Sequence, residues 1–198
     1  MELIGVILIV LFGSGLVFLI NPEMENKERL ALGWTIGLGF ITQWLFLLSV
    51  FNIRYSIPSV LLPLIAGDLF LLFLAIKKTK IRPRFGFLKL QKYSLKHLFG
   101  RFSRSEQVLI ILLAVLFFGS LIKALFWPVY YWDALAWYDY RAKIFFEAGG
   151  IASSMILASI PLHGAPPMTS LAHTFIYILG GENANPQFIY ALFYLALL

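Results

Sequence analysis

The chain has 198 residues, of which 60% are hydrophobic and 13% charged, and its mean hydropathy is +0.84. A soluble domain carries roughly a quarter charged residues, and here the apolar residues fall in runs near bilayer length, so a multi-pass membrane protein is implied. The absence of cysteine excludes disulfides, thiolate metal sites and a cysteine nucleophile. The net charge of +6 does not point to nucleic acid, because most cations gather in one loop between spans, where membrane orientation accounts for them.

Met1 to Ile20 is apolar apart from Glu2 and Ser14 and lacks both a basic leader and a small-residue cleavage site, so it reads as a retained first span. Asn21 to Arg29 is a polar turn, and Leu30 to Phe51 is long enough to cross as a second helix. A third span runs from Pro58 to Ile76, with Pro58 suited to a first helical turn and Asp68 as its one charge. Residues 1–76 thus form a unit of three N-terminal spans.

Residues 77–107 differ in kind. Ten of the sixteen Lys and Arg residues fall here, from Lys77 to Arg104, against one acid, Glu106. Such a loop is expected in the cytoplasm, and the apolar residues between its cations fit either a basic amphipathic helix on anionic lipid or a solvated connector. Val108 to Trp127 is then a fourth span running outward, which places loop 128–165 and the N-terminus on the extracytoplasmic side of the plasma (inner) membrane. Met168 to Leu179 is expected to run inward as a short fifth span. The apolar stretch from Gln187 to Leu198 begins a sixth, and its stop without a polar flank implies an N-terminal fragment of a longer protein.

The outer loop opens with WPVYYWDALAWYDYRAKIFFEAGG, Trp127 to Gly150, which holds three carboxylates, two cations and seven Trp and Tyr residues. Aromatic rings settle at headgroup depth and charges stay where water or a polar ligand reaches them, so this is the expected reaction site. Asp133 to Glu147 has few helix breakers and predicts a short amphipathic surface helix ended by Gly149 and Gly150. Asp133 is the leading catalytic candidate, an assignment compatible with its serving as the helix N-cap. Asp139 is a possible second carboxylate, although it points about 240° away around the helix and is expected to form an ordinary i, i+4 pair with Lys143, worth a few tenths of a kcal/mol if exposed. Arg141 and Lys143 suit a lipid-linked phosphate at the headgroup boundary, and His163 in the Pro/Gly-rich linker could donate to one. Glu147 reads as a solvated helix-end charge. His173 and Asp68, inside apolar runs, must face protein, a partner or a cavity. No metal is indicated: Asp133 and Asp139 would serve a divalent cation, Mg or Mn, only with ligands from elsewhere.

The order of a span, WDALAWYDYRAKIFFEAGG, then PLHGAPPMTSLAHTFIYILGG resembles the start of the catalytic core of the GT-C class of membrane glycosyltransferases, which includes protein O-mannosyltransferases and lipid A aminoarabinose transferases. The resemblance covers residues 108–198 and sets Asp133 at that class's first-loop acid, while Ala134 stands where many members have a second acid and three extra spans precede the core. It implies an inverting enzyme that takes a sugar from a polyprenyl-phosphate donor on the outer face, with Asp133 as base or acceptor orienter and with lipids as partners. Phosphate contacts at Arg141, Lys143 and His163 come from their chemistry, not from the resemblance. The competing expectations are a transporter or flippase of a lipid-linked substrate, using Asp68, Lys123 and His173, and a non-enzymatic membrane subunit whose basic loop docks a partner.

Overall fold

The computed structural model describes residues 1–79, 103–126, 138–151 and 167–197. They fold as α1 (Glu2–Ile20), α2 (Asn26–Val50), α3 (Ile57–Thr79), α4 (Arg104–Phe126), α5 (Tyr140–Ala148), α6 (Met168–Gly180) and α7 (Phe188–Leu197), with no strand among the described residues. This is the expected all-helical bundle. Helices α1 to α4 are each long and apolar enough to cross a membrane.

Small residues let α1 and α2 pack backbone to backbone. A side-chain carbon on Gly13 would overlap the carbonyl of Gly33, one on Gly33 would overlap Ser14, and one on Gly37 would overlap the carbonyl of Ile9. In lipid there is little hydrophobic drive between helices, so such close approach supplies the dispersion contact that holds them together. The antiparallel register sets Glu2 near the same end of the bundle as Val50. At the other end, Arg29 donates to the carbonyls of Pro22 and Met24 and lies 5.0 Å over the ring of Phe18. Lys78 of α3 donates to the carbonyl of Leu19 at 2.6 Å. Both cations thus meet the negative end of the α1 dipole.

Helix α3 lies against α1, and its link to α2 is the indole N–H of Trp44, which donates to the carbonyl of Ser59 at 3.0 Å. The turn between α2 and α3 is fixed by Tyr55, buried, whose hydroxyl donates to the carbonyl of Leu45 at 2.8 Å. Burial pushes the Tyr55 phenol up to about 12 despite its hydrogen bond with Ser49. Helix α4 starts with a capping box: Ser103 Oγ accepts from the N–H of Glu106, whose carboxylate accepts from the N–H of Ser103. Of α4 only Ala124 is buried, its carbonyl accepting from the side-chain amide of Asn185 at 2.6 Å.

Helix α6 departs from expectation. Its first residues, Met168 and Thr169, share a cleft with Thr35, Leu38 and Gly39 in the middle of α2, and its last, Gly180, abuts Glu2 at the start of α1. The helix therefore runs toward the end of the bundle that it was expected to leave. Thirteen residues also reach only about 20 Å, short of a hydrocarbon core of roughly 30 Å. The physical reason lies in its polar ties to α5, described below, which hold it beside the Val50 end. The direction expected of α6 is taken by α7, which passes from Tyr190, beside His173, to Phe193, whose ring meets Trp34 of α2 at 5.7 Å.

Candidate functional site

Asp133 and His163 lie outside the described residues. The second half of the predicted surface helix is α5, closed by Gly149 at φ 70, as the paired glycines led one to expect. Glycine is needed there for conformation, and also for space, since an added side chain would meet Arg54. Two hydrogen bonds fasten this end of α5 to the end of α2 and the turn after it: Tyr55 N–H donates to the carbonyl of Gly149 at 2.7 Å, and Ile151 N–H donates to Ser49 Oγ at 2.9 Å. The C-terminal end of α5 is thereby held on the Val50 end of the bundle.

Asp139 starts α5 but does not spend its carboxylate on the helix N-terminus. It points sideways into α6, where Oδ1 accepts from the hydroxyl of Tyr177 at 2.6 Å and lies 3.3 Å from Nδ1 of His173. Lys143 is 4.0 Å from Oδ2, so the i, i+4 pair exists, yet it is the weakest of the three contacts. Asp139 is 4% exposed, so its pair with Lys143 is not the solvated kind worth only a few tenths of a kcal/mol. Tyr177 and His173 come from a helix that the sequence separates from Asp139 by more than thirty residues, so a local charge pair was the one partner spacing could show. Burial alone would raise the Asp139 carboxyl. The hydrogen bonds from His173 and Tyr177, aided by the positive charge of Lys143, outweigh it and hold the group below the ordinary carboxylate range.

His173 is 2% exposed and uses both ring nitrogens, Nδ1 toward Asp139 and Nε2 toward the hydroxyl of Tyr190 at 2.9 Å. Thr174 donates to the carbonyl of Ser170 and lies 3.2 Å from that of Ala142, adding a further tie between α6 and α5. Arg141 is buried over the ring of Phe145, and burial lowers the proton affinity of its guanidinium. Lys143 is presented differently, half exposed with its ammonium 5.7 Å over the Tyr177 ring. Glu147 is exposed, as expected.

A largely apolar cleft of about 230 Å³ opens beside this cluster, between α2, α6 and α7, with His173 and Tyr190 in its wall. Among the described residues no three His, Asp or Glu side chains gather as a metal site. The cluster brings together Asp139 and Lys143 of the predicted site with His173, which faces protein and a cavity as expected of it, and with Tyr177 and Tyr190, which sequence reasoning passed over. One signal was available: His173 and Tyr177 are four residues apart and so share a helix face. No family model, curated protein or solved structure matches the chain.

Proposed function

We propose that the chain is an integral membrane glycosyltransferase of the polyprenyl-phosphate-dependent kind, working on the extracytoplasmic face, with loop 77–107 in the cytoplasm. The observation that supports this reading is the buried Asp139–His173–Tyr177 cluster, which ties the charged helix α5 to α6. A lipid phosphate leaving group lies at headgroup depth and needs cationic stabilisation, and an acceptor hydroxyl needs a carboxylate or its relay nearby. Lys143 is the exposed cation beside the cluster, and Asp133, directly upstream in sequence, is the proposed base or acceptor orienter.

Transport of a lipid-linked substrate is the second reading. It is favoured by Asp68 of α3, whose Oδ2 is buried with no hydrogen-bond partner among the described residues. His173, which a transport pathway would need free, is instead bound into the α5–α6 cluster. The deciding experiment compares the full chain and Asp133→Asn in membrane vesicles supplied with a radiolabelled polyprenyl-phosphate sugar. Loss of transfer with normal membrane insertion supports the enzyme, and transfer at the unmodified rate removes Asp133 from the mechanism.

A further inference from the structure

The hydrogens of the buried cluster can be assigned from its donors and acceptors. Oδ1 of an ionised Asp139 can only accept, so Nδ1 of His173 carries hydrogen. In a neutral imidazole Nε2 is then an acceptor, and the Tyr190 hydroxyl 2.9 Å away must donate to it. Having given its one hydrogen to His173, the Tyr190 oxygen can meet a further group only as an acceptor. Asp139 and His173 are 4% and 2% exposed, whereas Tyr190 is 47% exposed, so Tyr190 is where this chain of hydrogen bonds meets its surroundings. No other described residue bonds to its hydroxyl, and both Tyr190 and His173 line the apolar cleft.

We infer that the cleft takes an apolar molecule bearing a hydroxyl, a lipid alcohol, and that Tyr190 accepts its proton while passing its own to His173. The inference rests on the transferase reading for the electrophile. As the alcohol oxygen attacks the anomeric carbon of the donor sugar, its O–H hydrogen moves to the Tyr190 oxygen and the Tyr190 hydrogen moves to Nε2 of His173. The bond from that carbon to the donor phosphate breaks, and its electron pair leaves with the phosphate. The imidazolium that results is stabilised by Asp139, as in hydrolase triads, and returns its proton to water when product departs. Tyr190 is the catalytic residue of this relay, His173 and Asp139 are positioning residues, and Asp133 is left the orienting role rather than that of base. The charged or titratable groups around His173 are Asp139 and, beyond it, Lys143 and Arg141 from α5, Tyr138 just before α5, which interacts with Tyr190 and Arg141, Tyr177 from α6 and Tyr190 from α7, while the polar residues α2 contributes to the shared cleft are the neutral Thr35 and Thr42. A phosphate dianion, with no hydrogen to donate, is refused by Tyr190 in this state.

The test uses the full chain in lipid nanodiscs with ¹⁵N-labelled histidine, the His173 signals being identified by their loss in His173→Gln. Protonated Nδ1 and bare Nε2 are expected, and the reverse tautomer overturns the relay. Geraniol should shift the Nε2 signal in the unmodified chain and not in Tyr190→Phe, while geranyl phosphate, a dianion at about pH 8, should leave it in place. An equal shift in Tyr190→Phe, or a matching shift with the phosphate, overturns the ligand class. In the transfer assay Tyr190→Phe should lower kcat by about 100-fold with KM for the donor unchanged, and a rate within about twofold of the unmodified chain removes Tyr190 from catalysis. Should the tautomer and the geraniol shift hold while the unmodified chain transfers no sugar, the transferase reading fails and the alcohol site stands.

Discussion

The bond between Tyr177 and Asp139 is the most heavily used contact of the site, and its strength can be worked out from its setting. Donor and acceptor are 2.6 Å apart, at 2% and 4% exposure, and the acceptor is ionised. A hydrogen bond to a buried charge contributes about 1.5–3 kcal/mol, without the solvent screening that weakens exposed pairs. Tyr177→Phe removes the donor and should raise the opening of α5 from α6 by about 2 kcal/mol. Asp139→Asn weakens the acceptor for both Tyr177 and His173 and should raise it by about 2–4 kcal/mol. Because the double variant loses the shared bond once, the two effects should fall short of additivity by about 1.5–3 kcal/mol. Amide hydrogen exchange of residues 140–148 measures this opening directly, and about 2 kcal/mol corresponds to roughly 30-fold faster exchange. Effects that add to within about 0.5 kcal/mol would show that the pair is not coupled and that packing, not the carboxylate, holds α5 in place.

The same carboxylate sets a pH dependence. Its proton affinity is lower in the folded chain, so its contribution is present above the unfolded value of about 4 and is lost as pH falls through the folded value. Exchange protection of residues 140–148 should stay level from neutral pH to about 4 and drop below it, and Asp139→Asn should lack that drop. In the α1–α2 interface, Gly37→Ala sets a methyl against the carbonyl of Ile9 and should destabilise the pair by about 1–3 kcal/mol in detergent unfolding. Gly39→Ala, with open space around the added carbon, should be neutral or stabilising by about 0.5–1 kcal/mol. An equal loss at both positions would refute the close-approach account. Ser103→Cys and Ser153→Cys should be labelled by an impermeant thiol reagent from opposite sides of sealed vesicles, and labelling from one side overturns the proposed orientation.

The four long helices were legible because hydrocarbon runs of bilayer length admit only a helix or a closed barrel, and the runs lack the two-residue alternation of a barrel. Their ends were legible where a residue enforces them, as Gly149 does. Ser103-Arg-Ser-Glu106, a pattern that marks a helix start, was there to be read and went unused. What could not be read was how α6 is held. Its apolar composition fits a crossing segment, and its anchors to Asp139 become visible only when α5 and α6 are packed together. For the same reason Asp139 was given the one charged partner that lies four residues away, and His173 could be placed against protein or a cavity without its partners being named.

A helix that begins beside the middle of α2 faces a specific difficulty, because the first turn of any helix leaves N–H donors unpaired and apolar surroundings offer them no acceptor. Pro167, at the N-cap, removes part of that difficulty chemically, since it has no N–H to satisfy. Leu171, the first residue able to do so, donates to the carbonyl of Pro167 at 2.8 Å. At the far end the exposed backbone is the negative pole, and there the Gly181 N–H closes onto the carbonyl of Tyr177 at 2.8 Å while Gly180 reaches the end of the bundle. Pro167 therefore does more than interrupt a span. It allows a short helix to start within the apolar body of the bundle, and that start sets Thr169 and His173 against the cleft and leaves Tyr177 to meet Asp139. A helix entering from the opposite end in an ordinary crossing would reverse this order and carry His173 away from α5.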